Sequence, residues 1–353
     1  MKNPNKRIII IIIAALFLVL FFAACNQSDT VAKFTAEPTQ AVVNADPTPP
    51  PYITALPTFE PTPVPTPVPT PTPIPTPTPV PTPFAFAWVS DTQILAWRRP
   101  DAWIAMANWI VDNREAMNFI AVLHVGDLVD DRDDAAQWQN ISAGMDIIKG
   151  KLPIYVVAGN HDVSQPGFDY KEFLKQDFCD VRDPERLFKN GQCWIQPLDA
   201  GGRKLLLLGL GWQATDDSYI AWAGEQANKY PDHTVIIIVH SFLAENGFLT
   251  KEGVRIETLF ADHPNIRLLI CGHKHGERKW EKTYEDGHTV YALMFNLQDE
   301  HDLGNGIGYL RILTFDPVSG DMDCVTYSPI LDKYNYFGEE RDSFTVKGVL
   351  APL

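Results

Sequence analysis

Five strand-length apolar segments of this chain are each followed at once by side chains that can bind a metal ion. One such pair alone is usually a turn or a buried polar residue, so no single pair carries a functional conclusion. Five of them in one chain, each closing an apolar segment, indicate a common purpose. The side chains are Asp91 and Gln93, Asp127 and Asp130, Asn160 and His161, His240, and His273 and His275. Their recurrence predicts a metal site assembled where several strands end.

The apolar segments alternate with helix-like stretches from residue 84 onward. Strands are predicted at residues 84–89, 119–125, 154–158, 204–210, 235–239, 267–271, 289–295 and 309–315, and an amphipathic helix at 103–117. Nearly continuous apolar segments are typical of strands covered on both faces. Open α/β sheets bind ligands at the carboxyl ends of their strands, which is where the polar residues fall. We therefore predict one α/β domain over residues 84–345, with a tail at 346–353.

The first 24 residues have the pattern of a targeting segment. Lys2, Lys6 and Arg7 precede an apolar stretch that ends in small residues just before Cys25. This arrangement is that of a bacterial lipoprotein signal peptide. We expect residues 1–24 to be removed, Cys25 to be lipidated, and the chain to be anchored on the outer face of the membrane, in the bacterial cell envelope. The alternative is an uncleaved membrane anchor, because the apolar stretch is at the short end of a spanning helix.

A proline-rich region separates this segment from the domain. Of the 29 prolines in the chain, 17 lie between Pro47 and Pro83, mostly in alternation with threonine or valine. Proline fixes φ and lacks an N–H group, so such a region forms no packed core and extends by about 3 Å per residue. We interpret residues 25–83 as a disordered Pro/Thr-rich linker that gives the domain distance from the membrane.

The charge of the chain restricts its partners. The formal net charge is −15 at pH 7, and loss of residues 1–24 would make it more negative still. A body this acidic is not expected to bind nucleic acid in bulk, because such binding depends on neutralising phosphates with basic residues. A small phosphorylated substrate is still compatible, since divalent metal ions dominate the local field in a cleft.

Taken in chain order, the polar motifs resemble those of the calcineurin-like metallophosphoesterase family. The motifs are Asp91-Thr92-Gln93, Gly126-Asp127-Leu128-Val129-Asp130, Gly159-Asn160-His161-Asp162, His240 and Gly272-His273-Lys274-His275. The resemblance covers residues 91–275 and implies two packed mixed β-sheets flanked by helices, with two metals at the strand ends. It implies one metal on Asp91, Gln93, Asp127 and His275, and the other on Asp127, Asn160, His240 and His273. Asp127 would bridge them.

The resemblance also implies catalytic roles and a metal preference. His161 corresponds to the catalytic histidine of the family, with Asp130 orienting it, and the nucleophile would be metal-bound hydroxide. The family usually has histidine where this chain has Gln93. An oxygen donor in that place favours harder ions, so we expect Mn²⁺, Fe or Mg²⁺ rather than Zn²⁺. Some branches with glutamine there act on nucleotide-type diphosphates.

These points predict a membrane-tethered, extracytoplasmic phosphoesterase for a phosphodiester or diphosphate of nucleotide or envelope type. A phosphomonoesterase is one alternative. A catalytically weak protein that binds a phosphorylated ligand on the same scaffold is another, and a structural stalk would explain the proline-rich region but not the ligand set. Cys179 and Cys193 lie 14 residues apart, in a location that permits a disulfide, and the sequence leaves their pairing open.

Overall fold

The computed structural model describes residues 81–163, 169–297 and 308–351. The predicted signal peptide, Cys25 and nearly all of the predicted linker lie outside these residues. No helix within the described ranges is long and apolar enough to cross a membrane.

Among the described residues, the first sheet has seven strands. They are β1 (Phe84–Val89), β2 (Phe119–His124), β3 (Ile154–Val156), β11 (Leu310–Phe315), β12 (Met322–Ser328), β13 (Lys333–Tyr334) and β14 (Ser343–Val346). Their order is β13-β12-β11-β1-β2-β3, and β14 also pairs with β12. Strands β1, β2 and β3 are parallel, so their carboxyl ends share one edge. Beyond β14, Val349 and Leu350 are buried against the domain, inside the segment assigned to a tail.

The second sheet also has seven strands. They are β4 (Leu187–Phe188), β5 (Cys193–Ala200), β6 (Arg203–Leu210), β7 (Thr234–Val239), β8 (Ile266–Cys271), β9 (Gly276–Thr283) and β10 (Thr289–Asn296). Their order is β4-β5-β6-β7-β8-β10-β9. The central strands β6, β7, β8 and β10 are parallel, whereas β9 and β10 form an antiparallel edge hairpin.

Helices flank the two sheets. They are α1 (Gln93–Arg98), α2 (Pro100–Asp112), α3 (Ala135–Ile148), α4 (Lys171–Lys175), α5 (Asp217–Lys229), α6 (Lys251–Glu257) and α7 (Glu339–Asp342), with 3-10 turns at Pro184–Arg186 and Lys189–Gly191. Along β1, Phe84, Phe86 and Trp88 pack between the sheets, while Ala85 and Ala87 face the helices. Burial on both faces explains the continuous apolar segments. The predicted fold of two packed mixed sheets flanked by helices is confirmed.

The sequence located the buried strands more accurately than the exposed elements. Strand β1 has the predicted bounds, and the other seven predicted strands lie at their expected places. The helix predicted at residues 103–117 runs over Pro100–Asp112 instead, because Pro100 suits the first turn of a helix and the chain turns after Asp112. The sequence did not reveal β9, whose Gly276–Thr283 segment is rich in charge because it lies at an edge.

The cysteines that the structure describes are all free thiols, Cys179 and Cys193 among them. Cys193 lies in the core under α5, whereas Cys179 packs against the other two core clusters. Burial raises the pKa of Cys179 to about 11 and that of Cys193 to about 12, so both thiols are unreactive at neutral pH.

Candidate metal centre

The parallel strands deliver the predicted ligands to one edge of the molecule. Asp91 follows β1, Asp127 follows β2, and Asn160 follows β3 in the first sheet. His240 and His273 follow β7 and β8 in the second sheet. Contacts between the two sets show that the carboxyl edges of the sheets meet: the backbone N–H of His273 donates to Asp91 Oδ1 at 3.1 Å. The site therefore lies between the sheets, at their shared edge.

Asp127, His240 and His273 form a compact group of potential ligands. One ligand atom from each lies within 4.8 Å of the others. His240 Nε2 is 3.2 Å from Asp127 Oδ2 and 3.1 Å from Asn160 Oδ1. Its other nitrogen, Nδ1, is 2.9 Å from the Val125 carbonyl oxygen. A proton on Nδ1 would leave Nε2 as the free donor atom toward the carboxylate and the amide, which is the usual arrangement of a metal-binding histidine.

Three predicted ligands have left-handed backbone conformations. The φ angles are 48° at Asp91, 52° at Asp127 and 67° at His273. Such conformations are uncommon for residues with a side chain and concentrate at functional sites. Gly159 allows the loop after β3 to come close to Asp127, because a Cβ there would lie 2.1 Å from Asp127 Oδ1. The motif glycine before Asn160 is therefore required for close approach of the two loops.

The remaining metal ligands proposed for the first ion are less tightly assembled. Asp91 Oδ2 lies in short contact with the Ser90 hydroxyl. Gln93 is buried, and its amide nitrogen lies 3.2 Å from Asp127 Oδ2. The other amide atom, Oε1, is buried and has no hydrogen-bond partner among the described residues. His275 is exposed and lies outside the compact group.

His161 and Asp130 lie together beside this group. The His161 backbone N–H donates to Asp127 Oδ1 at 2.9 Å, which fixes the His161 backbone beside the predicted bridging ligand. His161 Nδ1 is 2.7 Å from the Asp130 carbonyl oxygen and 3.5 Å from its carboxylate. The backbone carbonyl is therefore the closer orienting group, whereas the sequence predicted the carboxylate. Both side chains are about one third exposed, so His161 can reach a substrate.

The electrostatics of the site reflect buried carboxylates beside imidazoles. Burial raises the pKa of Asp91 to about 7 in spite of His240 nearby. Burial acts to raise the pKa of Asp127 as well, but the charge and hydrogen bond of His240 outweigh it and lower that pKa. Burial acts to lower the pKa of His240, and Asp127 outweighs it, raising the pKa to about 9. Burial, reinforced by His240, lowers the pKa of His273 to about 3.

Two further residues support the site. The buried Asp162 carboxylate accepts from the N–H groups of Gly159 and Leu128, each at 2.8 Å, and so joins the loops after β2 and β3. The ring of Trp212, which follows β6, lies 5.6 Å from that of His240 and 5.1 Å from that of His273. No motif could have revealed that contact, because it depends on the end of β6.

Comparison with known proteins gives one family and several relatives. The sequence model described as "Calcineurin-like phosphoesterase" matches residues 84–277. The uncharacterized protein YvnB of Bacillus subtilis (strain 168) is 31% identical over 285 residues, which are 76% of this chain and 22% of YvnB. The Escherichia coli (strain K12) 3',5'-cyclic adenosine monophosphate phosphodiesterase CpdA is 26% identical over 165 residues, 45% of this chain and 55% of CpdA.

The chain is also similar to a third relative and to a solved structure. The probable glycerophosphodiester phosphodiesterase GpdQ of Arcobacter nitrofigilis is 24% identical over 200 residues, 53% of this chain and 70% of that protein. The purple acid phosphatase PPD1 of yellow lupin superposes with a TM-score of 0.54 at 14% identity, covering 75% of this chain and 54% of PPD1. This likeness concerns the fold. The chain spans about a fifth of YvnB and about half of CpdA.

Proposed function

The chain belongs to the calcineurin-like phosphoesterase family, and from this premise we propose that it hydrolyses a phosphodiester or diphosphate with two divalent metal ions. The family and its class of metal-dependent phosphoric ester hydrolases are as the motifs predicted. The observation that carries the proposal is Asp127. One of its oxygens lies against His240 and the other receives the His161 backbone N–H, so one carboxylate joins the metal ligands to the candidate acid.

The residues present fit a pair of metal ions. Gln93 Oε1 is a buried acceptor without a partner among the described residues, which a cation would satisfy. One ion would be held by Asp91, Gln93, Asp127 and His275, and the other by Asp127, Asn160, His240 and His273. When bound, two such ions neutralise phosphoryl oxygens and activate water. The many oxygen donors support Mn²⁺, Fe or Mg²⁺ over Zn²⁺.

His161 has the properties of a general acid. Its Nδ1 is held by the Asp130 carbonyl, which leaves Nε2 free to face a substrate. Burial acts to lower the pKa of His161, but Asp127 and the groups of Asp130 raise it above its ordinary value. A histidine whose pKa is raised keeps its proton to a higher pH than an ordinary histidine, and it can give that proton to the leaving oxygen. Asp130 keeps the imidazole oriented while it does so.

Three observations support a diester or diphosphate rather than a monoester. Gln93 occupies the place of the usual histidine. CpdA acts on a cyclic phosphodiester, and GpdQ is named for a glycerophosphodiester.

The exposed position of His275 favours, as second candidate, a catalytically weak protein that binds the phosphorylated ligand on the same scaffold.

We also propose that the protein works outside the cytoplasm, tethered through lipidated Cys25. The positive residues, apolar stretch and cysteine of the N-terminal segment support this, and the proline-rich region would give the domain reach. Cys25→Ala should move the protein from the membrane fraction of cells and abolish incorporation of labelled palmitate. Unchanged membrane association of this variant, with no palmitate in the wild type, would favour an uncleaved anchor.

The activity is tested on the full-length chain in detergent, stripped of metal. Hydrolysis of bis-p-nitrophenyl phosphate and p-nitrophenyl phosphate is measured with Mn²⁺, Mg²⁺, Fe²⁺, Zn²⁺ or no metal. Turnover that needs metal and prefers the diester supports the proposal. Preference for the monoester would move the assignment to a phosphomonoesterase. Two bound metals without turnover on either ester would favour the binding protein.

A further inference from the structure

A buried group of charged side chains lies where the two sheets meet. Arg311 of β11 and Asp342 of α7 have fully buried side chains, and Glu277 of β9 is 5% exposed. Arg341, next to Asp342, is partly exposed and reaches Glu277. We call Glu277, Arg311, Arg341 and Asp342 the junction cluster. Buried charges are costly unless paired, and the mechanism proposed above uses none of these four.

The members of the junction cluster bind one another across the sheets. Arg341 Nε donates to Glu277 Oε1, linking α7 to the edge hairpin of the second sheet. Arg311 Nη2 donates to the Arg341 carbonyl oxygen at 3.2 Å and lies 3.9 Å from Asp342 Oδ1. The Lys279 ammonium donates to the Glu340 carbonyl at 3.2 Å, a second link between β9 and α7. These contacts hold the first residues of β9 against residues 339–351, which we call the C-terminal segment.

Aromatic rings from both sheets enclose the Arg311 guanidinium. Its centre lies 4.7 Å from the Phe295 ring and 5.6 Å from the rings of Trp88 and Phe344. These residues come from β10, β1 and β14, so the guanidinium fills the space between the sheets. An arginine fixed in this way by cation–π contacts and hydrogen bonds cannot move without disturbing all three strands.

The junction cluster lies directly behind two ligands of one proposed metal. Glu277 is two residues after His275, with only Gly276 (φ 102°) between them. Glu277 also pairs with Phe295 in the sheet register. The Phe295 carbonyl accepts from the Ser90 hydroxyl, and that hydroxyl contacts Asp91. The path from the junction cluster therefore reaches the side chain of Asp91 and the backbone beside His275, whereas at His273 it ends on the backbone N–H that donates to Asp91.

We propose that the junction cluster positions His275 and Asp91, so that the C-terminal segment controls occupancy of one metal site and not of the other. The inference rests on the two-metal function proposed above. His275 is exposed and is followed by Gly276, whose φ of 102° is one that glycine adopts readily, so the contact between Glu277 and Arg341 is what fixes the backbone beside it. Glu277 and Arg341 are positioning residues. Breaking their contact lowers affinity at the Asp91, Gln93 and His275 site alone.

The test uses the metal-stripped full-length chain in detergent and Mn²⁺ as the probe. Glu277→Gln and Arg341→Met are compared with His275→Ala, which removes the proposed ligand itself. The control is Lys347→Met, which breaks an exposed 2.7 Å ion pair with Asp321 in the same C-terminal segment, away from the junction cluster. Calorimetric titration gives both dissociation constants, and electron paramagnetic resonance separates a coupled Mn²⁺ pair from a single ion.

In the wild type and the control, two Mn²⁺ ions bind and give a coupled spectrum. In Glu277→Gln and Arg341→Met, the weaker dissociation constant rises about 10–100-fold, as is usual when a residue supporting a ligand is lost. The tighter dissociation constant and the circular dichroism spectrum stay unchanged. When Mn²⁺ is added in one-equivalent excess, the electron paramagnetic resonance spectrum is that of a single bound ion and not of a coupled pair. The double variant is no worse than either single variant, because the pair acts as one unit. Arg341→Lys keeps the positive charge, so it binds the second Mn²⁺ more tightly than Arg341→Met and less tightly than the wild type.

Two wild-type-like sites in both single variants would overturn this inference and leave the proposed function standing. Equal weakening of both sites, or an effect of the same size in Lys347→Met, would also overturn it, because a general loss of stability would explain the result. Failure of the wild type to bind any Mn²⁺ would overturn the proposed function itself.

Discussion

The two halves of the proposed metal centre differ in how firmly they are built. In what we call the His240 half (Asn160, His240 and His273), ligand atoms of two histidines gather around Asp127 within 4.8 Å. In the His275 half (Asp91, Gln93 and His275), the Gln93 side chain points its amide nitrogen, and not its oxygen, toward Asp127, and His275 is exposed. Asp127 is the proposed shared ligand of both halves.

The difference follows from the backbone that carries each ligand. His240 follows the central parallel strand β7 at once, and the Val125 carbonyl fixes its ring from the other sheet. His275 stands one residue before β9, an edge strand with antiparallel pairing only. Central strands therefore place a side chain through their own hydrogen bonds, while an edge hairpin needs support from other segments. A metal centre can thus combine one half that is built in advance with another that depends on its surroundings.

Loss of Asp127 should break both halves at once. Asp127→Ala removes the shared ligand and leaves the buried His240 without its carboxylate partner. We expect bound metal to fall from two ions to none and turnover to fall by at least about 1000-fold, roughly 4 kcal/mol of barrier. Elemental analysis and diester hydrolysis measure both. Asp127→Asn, which keeps an oxygen, should retain some metal; full occupancy in Asp127→Ala would show that the carboxylate is not shared.

Replacement of His161 should leave both halves filled yet stop the chemistry. His161→Ala removes the candidate acid and keeps every proposed metal ligand, so we expect two bound metals and a fall in turnover of about 100–1000-fold. Asp130→Asn should cost less than about tenfold, because the Asp130 carbonyl at 2.7 Å, and not the carboxylate, is the closer partner of His161. Near-wild-type turnover on the natural substrate in His161→Ala would remove this residue from the mechanism.

Replacement of Asp162 should destabilise the two loops that carry Asp127 and Asn160. Its buried carboxylate accepts from Gly159 and Leu128, and Asp162→Asn puts a donor where an acceptor is needed. We expect a loss of about 2 kcal/mol in the free energy of unfolding, which lowers the melting temperature by roughly 4–8 °C. Differential scanning calorimetry measures this. Asp216→Asn, which makes the same change at the exposed N-cap of α5, is the matched control and should keep the wild-type melting temperature.

A change at Gln93 should affect only the weaker half. Gln93→His supplies a nitrogen donor in place of the amide oxygen, so the balance at the His275 half should move toward Zn²⁺ relative to Mn²⁺. We expect about tenfold, or roughly 1.4 kcal/mol, in the ratio of the two affinities. Competition titration measures it. The same shift at the tighter site would place Gln93 in the other half.

The sequence predicted the strands that build the site because those strands are buried. Continuous apolar segments marked β1, β2, β7 and β8, and a ligand follows each of them. The sequence did not reveal β9 or the contact of Trp212 with His240 and His273, because an edge strand carries charge like a loop and the indole contact depends on how two strand ends meet. It also assigned the orienting role beside His161 to the Asp130 carboxylate, since a backbone carbonyl leaves no mark in a residue pattern.

The most direct test of two unequal halves is stepwise addition of Mn²⁺ to the metal-stripped full-length chain, with bound metal and hydrolysis of bis-p-nitrophenyl phosphate followed together. We predict that the first equivalent binds tightly with little turnover, in the His240 half, and that turnover appears as the second equivalent fills the His275 half. Full turnover with one equivalent bound, or two equivalents bound with equal affinity, would contradict the account.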